Sequence, residues 1–134
     1  MKIRKAAELT IGVLYAIGAA HQAFFVVPNS TAFYVDMADQ AWLAPAAAFV
    51  EEFLVPNSVA VTILVAAFEA ILAVAILTRQ SMVRSALIAG GVFSIVGALT
   101  GSPAETVGYG TLAAIHFWLA AARRSADPGG EQAT

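Results

Sequence analysis

All seven basic residues of this 134-residue chain fall at three places, Lys2/Arg4/Lys5, Arg79/Arg84 and Arg123/Arg124, with long apolar runs between them. Hydrocarbon offers no partner for backbone N–H and C=O groups, so apolar runs of this length are compatible only with helices that satisfy themselves. Four runs, 7–27, 59–78, 83–101 and 107–122, approach the ~17–25 residues that cross ~30 Å of bilayer core. Lys and Arg stay on the cytoplasmic side of short loops, which places the N-terminus, the 79–84 turn and the C-terminus inside. An even number of spans satisfies all three placements. The other two connections, 28–58 and 102–106, contain no Lys or Arg and carry Asp36, Asp39, Glu51, Glu52 and Glu105, as an outer face would.

The expected fold is therefore all-α: a four-helix transmembrane bundle of the cell membrane, with both termini cytoplasmic. One domain over 1–124 exhausts the apolar material. The tail 125–134, with Asp127-Pro128-Gly129-Gly130, reads as disordered. The first run follows a basic segment, as in a secretory signal, but it continues beyond Ala20, holds Glu8 and His21, and lacks an A-x-A cleavage site; it reads as a mature helix. The formal net charge of −2 conceals a basic inner and an acidic outer surface, which suits a lipid bilayer with anionic headgroups inside and gives no nucleic-acid footprint. The chain has no cysteine, which excludes thiol–disulfide exchange and any Cys-ligated metal or cluster.

Small residues are spaced four apart at Gly12, Ala16 and Ala20 and again at Ala86/Gly90 and Gly97/Gly101, a pattern that lets membrane helices approach closely. The outer connection 28–58 is long for so small a bundle. Its second half, 41–55, is apolar apart from Glu51 and Glu52, too short to span, and rich in Trp42, Pro45, Phe49 and Phe53. It reads as an additional interfacial or re-entrant helix, with these aromatic side chains buried. The sequence Phe-x-Val-Pro-Asn-Ser occurs at 25–30 and again at 53–58, and in the second copy Pro56 ends one helix while Asn57 or Ser58 caps the next.

Ionisable side chains within a bilayer cost at least ~2.5–3.5 kcal/mol on insertion scales, so each needs a partner or a purpose. Glu8 is accounted for by the positive end of the first helix and by Arg4 or Lys5. Glu69 lies ten residues from Val59, about 15 Å deep at 1.5 Å per residue. Hydrocarbon disfavours its charged form, so a neutral acid with an exchangeable proton is expected there. His116 lies about 14 Å and His21 about 9 Å deep by the same rise. Glu69, His116 and His21 form the candidate reactive set, and Tyr15, Gln22, Ser94 and Tyr109 add hydrogen-bonding groups for a ligand. No metal site is expected.

The stretch 61–96 places Glu69 in an Ala/Leu/Val-rich helix, with Leu77-Thr78-Arg79 at the turn and Arg84-Ser85-Ala86-Leu87 opening the next helix. It resembles the central hairpin of the DoxX-like family of small integral membrane proteins. Gly18-Ala19-Ala20-His21 followed by Phe24-Phe25 is similar to that family's opening helix. The resemblance implies a four-helix membrane protein, and some relatives are subunits of quinone-reducing or other membrane redox complexes. The leading expectation is thus a subunit that binds a quinone or another lipophilic small molecule among His21, Glu69 and His116, with electrons supplied by a partner, because the chain has no dinucleotide fingerprint. A non-catalytic accessory subunit of a larger membrane complex, or a homo-oligomer, is the second class. A b-type haem held by His21 and His116 comes last.

Overall fold

The computed structural model describes residues 2–124; the tail 125–134 lies outside the described residues. The chain is all-α. Helix α1 (Lys2–His21) runs through a wide π turn, Gln22–Val26, and a 3-10 turn, Val27–Asn29, into α2 (Ser30–Gln40). A short helix, α3 (Ala44–Phe49), opens into a second π turn, Val50–Leu54, before α4 (Ser58–Thr78). A 3-10 turn, Gln80–Met82, leads to α5 (Val83–Thr100), and α6 (Pro103–Arg124) follows almost at once.

Four long helices pack antiparallel in two close pairs. On α1, Gly12 lies against Ile76 and Leu77 of α4, and Gly18 lies against Glu69, so the two helices run in opposite directions. On α5, Gly91 faces Phe117 and Gly97 faces Tyr109 of α6 in the same manner. The pairs α1/α4 and α5/α6 make the principal helix contacts of the molecule, and α4 touches α5 far less. This leaves space between the pairs. All three basic clusters consequently share one end of the bundle, where Arg4 Nη1 donates to the Ala122 carbonyl at 3.1 Å, and α2 and α3 occupy the opposite, cap end.

Among the described residues, three helical stretches are long and apolar enough to cross a membrane: Lys2–Gln40, Ser58–Thr78 and Val83–Thr100. The first, with 39 residues, would extend about 58 Å if straight, far more than a bilayer core. It breaks at Pro28-Asn29, where Asn29 leaves helical geometry at φ −123° and ψ 22°. Helix α6 is long enough but less apolar, because it carries Glu105, Tyr109, Thr111 and His116 along its length. Its start is four residues earlier than the hydropathy suggests, and the cause is local: Glu105 N donates to Ser102 Oγ at 3.3 Å, Ser102 N donates to Glu105 Oε2 at 2.7 Å, and Pro103 fills the first helical position.

The two copies of Phe-x-Val-Pro-Asn-Ser fold alike. Each proline follows a π turn closed by an i→i−5 bond, Val27 N to Gln22 O and Val55 N to Val50 O, the wider turn giving room to a ring that clashes with a regular helix. Each asparagine donates backward from Nδ2, Asn29 to Phe25 O and Asn57 to Phe53 O. Asn57 thus terminates the preceding helix and does not cap α4. The corners then meet, with Thr31 Oγ1 and Ser58 Oγ 3.0 Å apart.

The cap differs from the single interfacial helix expected for 41–55. The first half of the connection also folds, as α2, and the second half forms α3 and its π turn over 44–54. Glu51 and Glu52 are exposed, but so are Trp42, Phe49 and Phe53; within 41–55 the buried side chain is Val50. Phe49 and Phe53 stack on one another with centroids 5.4 Å apart. The small-residue stripe on α1 also needs correction: Gly12 is buried, whereas Ala16 and Ala20 face outward, because the packing face of α1 follows Glu8, Ile11, Gly12 and Tyr15.

Candidate functional site

The space between the two helix pairs is lined by five polar side chains, Tyr15, Glu69, Ser94, Tyr109 and His116. His116, on α6, is fully buried. Its Nδ1 lies 2.7 Å from the Leu112 carbonyl, which can only accept, so Nδ1 carries a proton. In the neutral ring Nε2 is then an acceptor, and the Tyr15 hydroxyl, 2.9 Å away on α1, donates to it. The two rings meet edge to face, centroids 5.6 Å apart. Gly90 makes this pair possible: a Cβ on α5 at that position would overlap the Tyr15 hydroxyl and lie 2.8 Å from His116 Nε2. One turn along α5, the buried Ser94 hydroxyl donates to Gly90 O at 2.9 Å.

Glu69, on α4, extends toward α1, where Gly18 leaves room for it; a Cβ on Gly18 would stand 2.9 Å from Oε1 and 3.0 Å from Oε2. Glu69 Oε2 is buried and has no hydrogen-bond partner. Gln22 Oε1, in the π turn that follows α1, is in the same condition. Leaving such an atom unsatisfied costs ~1–3 kcal/mol, so both are positions where a bound molecule or water is expected to complete the structure.

Both atoms belong to residues that line the interior. A lower chamber of about 90 Å³ is bounded by Tyr15, Glu69, Ser94, Tyr109, His116 and apolar neighbours. An upper chamber of about 240 Å³ lies under the cap, between Gln22, Tyr34 and Phe49 on one side and Gly97, Glu105 and Tyr109 on the other. Phe93 and Tyr109 line both chambers and so stand at the junction. The cap is fastened across the mouth by Trp42 Nε1, which donates to Thr106 Oγ1 at 3.0 Å.

The structure therefore brings five of the seven sequence candidates, Tyr15, Glu69, Ser94, Tyr109 and His116, to one chamber and places Gln22 in the adjoining one. His21 does not join them. It is exposed and stacks on Phe25, 5.7 Å between centroids, because it lies on the outward face of α1 beyond the turn that carries Tyr15. Among the described residues, no cluster of three or more His, Asp or Glu side chains is placed to hold a metal ion.

Glu8 also differs from expectation. Its main partner is Arg123 of α6, in a two-pronged pair with Nε–Oε1 and Nη2–Oε2 both 2.8 Å; Arg4 stands further off at 3.7 Å. Sequence proximity favours Arg4, but only the packing of α1 against α6 reveals the geometry that suits a guanidinium fork. The roles of Gly18 and Gly90 were likewise hidden. The spacing of Gly90 from Ala86 indicates helix packing and Gly18 stands in no such stripe, yet each makes room for polar side chains from other helices.

Comparison with protein-family models, with curated proteins and with solved structures finds no match to this chain.

Proposed function

We propose that this chain is a four-span, DoxX-like membrane subunit that binds a neutral lipophilic ring compound of the quinone class between its two helix pairs. The observation that carries the reading is the pair of buried, unpartnered oxygens, Glu69 Oε2 and Gln22 Oε1, on residues lining adjoining chambers with otherwise largely apolar walls. Specific small-molecule sites combine such walls with a few placed polar groups. The chambers are small beside the ~300–1,000 Å³ of sites for drug-sized ligands, which favours a single ring over a bulky headgroup.

In this reading a ring carbonyl enters the lower chamber and accepts a hydrogen bond from the protonated carboxyl of Glu69. Tyr15, whose proton is committed to His116, keeps lone pairs that accept from a ring hydroxyl in the reduced ligand. Glu69 is then the group that gives and takes a proton as the ligand changes redox state, and electrons come from a partner protein. Binding of a soluble ubiquinone analogue to purified protein in detergent tests the proposal. The wild type should bind it, and Glu69→Ala should weaken binding at least tenfold. Failure of the wild type to bind any such analogue refutes it.

A second reading, an accessory subunit, draws on the fact that the Tyr15–His116 and Glu8–Arg123 bonds both join α1 to α6 and so tie the two pairs together. Glu69→Gln discriminates between them, because it keeps size and hydrogen bonding while removing the exchangeable proton. Loss of activity in a normally assembled complex supports the redox role. Activity in proportion to assembly supports the accessory role.

A further inference from the structure

At the cap end α2 and α3 lie across the bundle and Trp42 is bonded to Thr106 on the far side, while Glu105, which lines the upper chamber, is exposed. An outward-facing cleft lies beside the interior. Between α4 and α5 lies an apolar groove of about 550 Å³, and four of the side chains that line it, Val61, Val65, Phe93 and Val96, also line the upper chamber. A single layer of side chains thus separates the groove from the interior. Toward the basic end the groove is lined by Phe68 and Phe93, with ring centroids 5.2 Å apart, and by Ala89 one turn beyond. Its rim is open: Leu64 is 68% exposed and Val92 53% exposed. Val61 and Phe68 lie three and ten residues into α4, about 5 and 15 Å from its start at 1.5 Å per residue, which is hydrocarbon depth.

We infer that the α4/α5 groove is the lateral entrance to the chambers and holds the apolar tail of their ligand, which is therefore an amphiphile with the neutral ring head of the reading above and an alkyl tail. The inference rests on the cavity reading above and narrows the ligand class. Continuity of the groove wall with the chamber wall argues for a tail joined to the head inside. The groove is an open, shallow depression with largely apolar walls, which suits an alkyl chain. Charge argues against an anionic head: the connections at the cap end hold no Lys or Arg, and Asp36, Asp39, Glu51 and Glu52 are exposed there, so nothing recruits an anion.

The test compares two probes on the full chain in phosphatidylcholine nanodiscs: decylubiquinone, and its tail-less parent 2,3-dimethoxy-5-methylbenzoquinone. Val92→Trp, or Leu64→Trp if the first fails to fold, fills the groove at a residue that lines neither chamber. The expected result is a loss of at least tenfold in affinity for the decyl probe with less than twofold change for the tail-less one. A decyl probe bearing a terminal diazirine should label residues between 61–68 and 89–96. Wild-type binding of both probes with no effect of the tryptophan, an equal loss for both, or labelling confined elsewhere overturns the groove while leaving the chambers intact. Absence of wild-type binding to either probe defeats the cavity reading and this one with it. Cross-links between copies through the groove assign it to a second copy and also overturn the inference.

Discussion

Gly90 gives the sharpest test of the interior. Replacing it with alanine places a methyl on the Tyr15 hydroxyl and 2.8 Å from His116 Nε2, in a region where His116 has no exposed surface. Overpacking of this kind costs ~1–3 kcal/mol. Displacing Tyr15 also removes an interhelical hydrogen bond, worth ~0.6–1.7 kcal/mol in membranes. Against these stands the ~0.8–1.0 kcal/mol by which alanine improves on glycine in a helix. The balance is a net loss of about 1–4 kcal/mol. Gly108→Ala is the control, because a Cβ there meets nothing within 4 Å, and it should be neutral or stabilising. Unfolding in mixed micelles with increasing dodecyl sulfate, followed by fluorescence of Trp42 and Trp118, measures both. The same substitution in a Tyr15→Phe background should cost less by ~1 kcal/mol, since residues in direct contact are not additive. Equal behaviour of Gly90→Ala and Gly108→Ala, or strict additivity with Tyr15→Phe, would refute the proposed contact.

Arg123→Ala leaves the Glu8 carboxylate buried against α6 and should destabilise the bundle by ~3–5 kcal/mol in the same assay, with Arg123→Lys recovering only part because it cannot form the fork. Trp42→Phe removes the bond to Thr106 and should speed amide exchange over 41–55 while leaving α5 unchanged; unaltered exchange would mean that the bond does not fasten the cap. The absence of native cysteine makes single-cysteine labelling unambiguous: Asp39→Cys and Arg79→Cys, both at exposed positions, should react with an impermeant reagent from opposite sides of the membrane, and labelling of both from one side would overturn the four-span topology.

Much of the architecture was legible because membrane physics acts on sequence one residue at a time. Lys and Arg segregate by side, apolar runs must be helices, and a buried acid such as Glu69 stands out against its surroundings without reference to any other residue. Local chemistry was legible at the Pro-Asn-Ser corners, each of which marks a break in the helix, whereas the Ser102–Glu105 capping box, although local, goes unread when hydropathy places the start of α6 at 107.

What the sequence could not give was direction around each helix axis and the choice of distant partners. Depth put His21 in reach of the interior, but its azimuth on α1 turns it outward, while Tyr15 faces His116 across 101 positions of chain. Glu8 took Arg123 over its neighbour Arg4 because the fold brings a guanidinium fork to both carboxylate oxygens. In hydrocarbon the driving force for helix association is packing and polar pairing, both of which depend on three-dimensional fit. That is why Gly18 and Gly90, indistinguishable in sequence from glycines that only bring backbones together, acquire their role as space for Glu69 and for the Tyr15–His116 pair only in the tertiary structure.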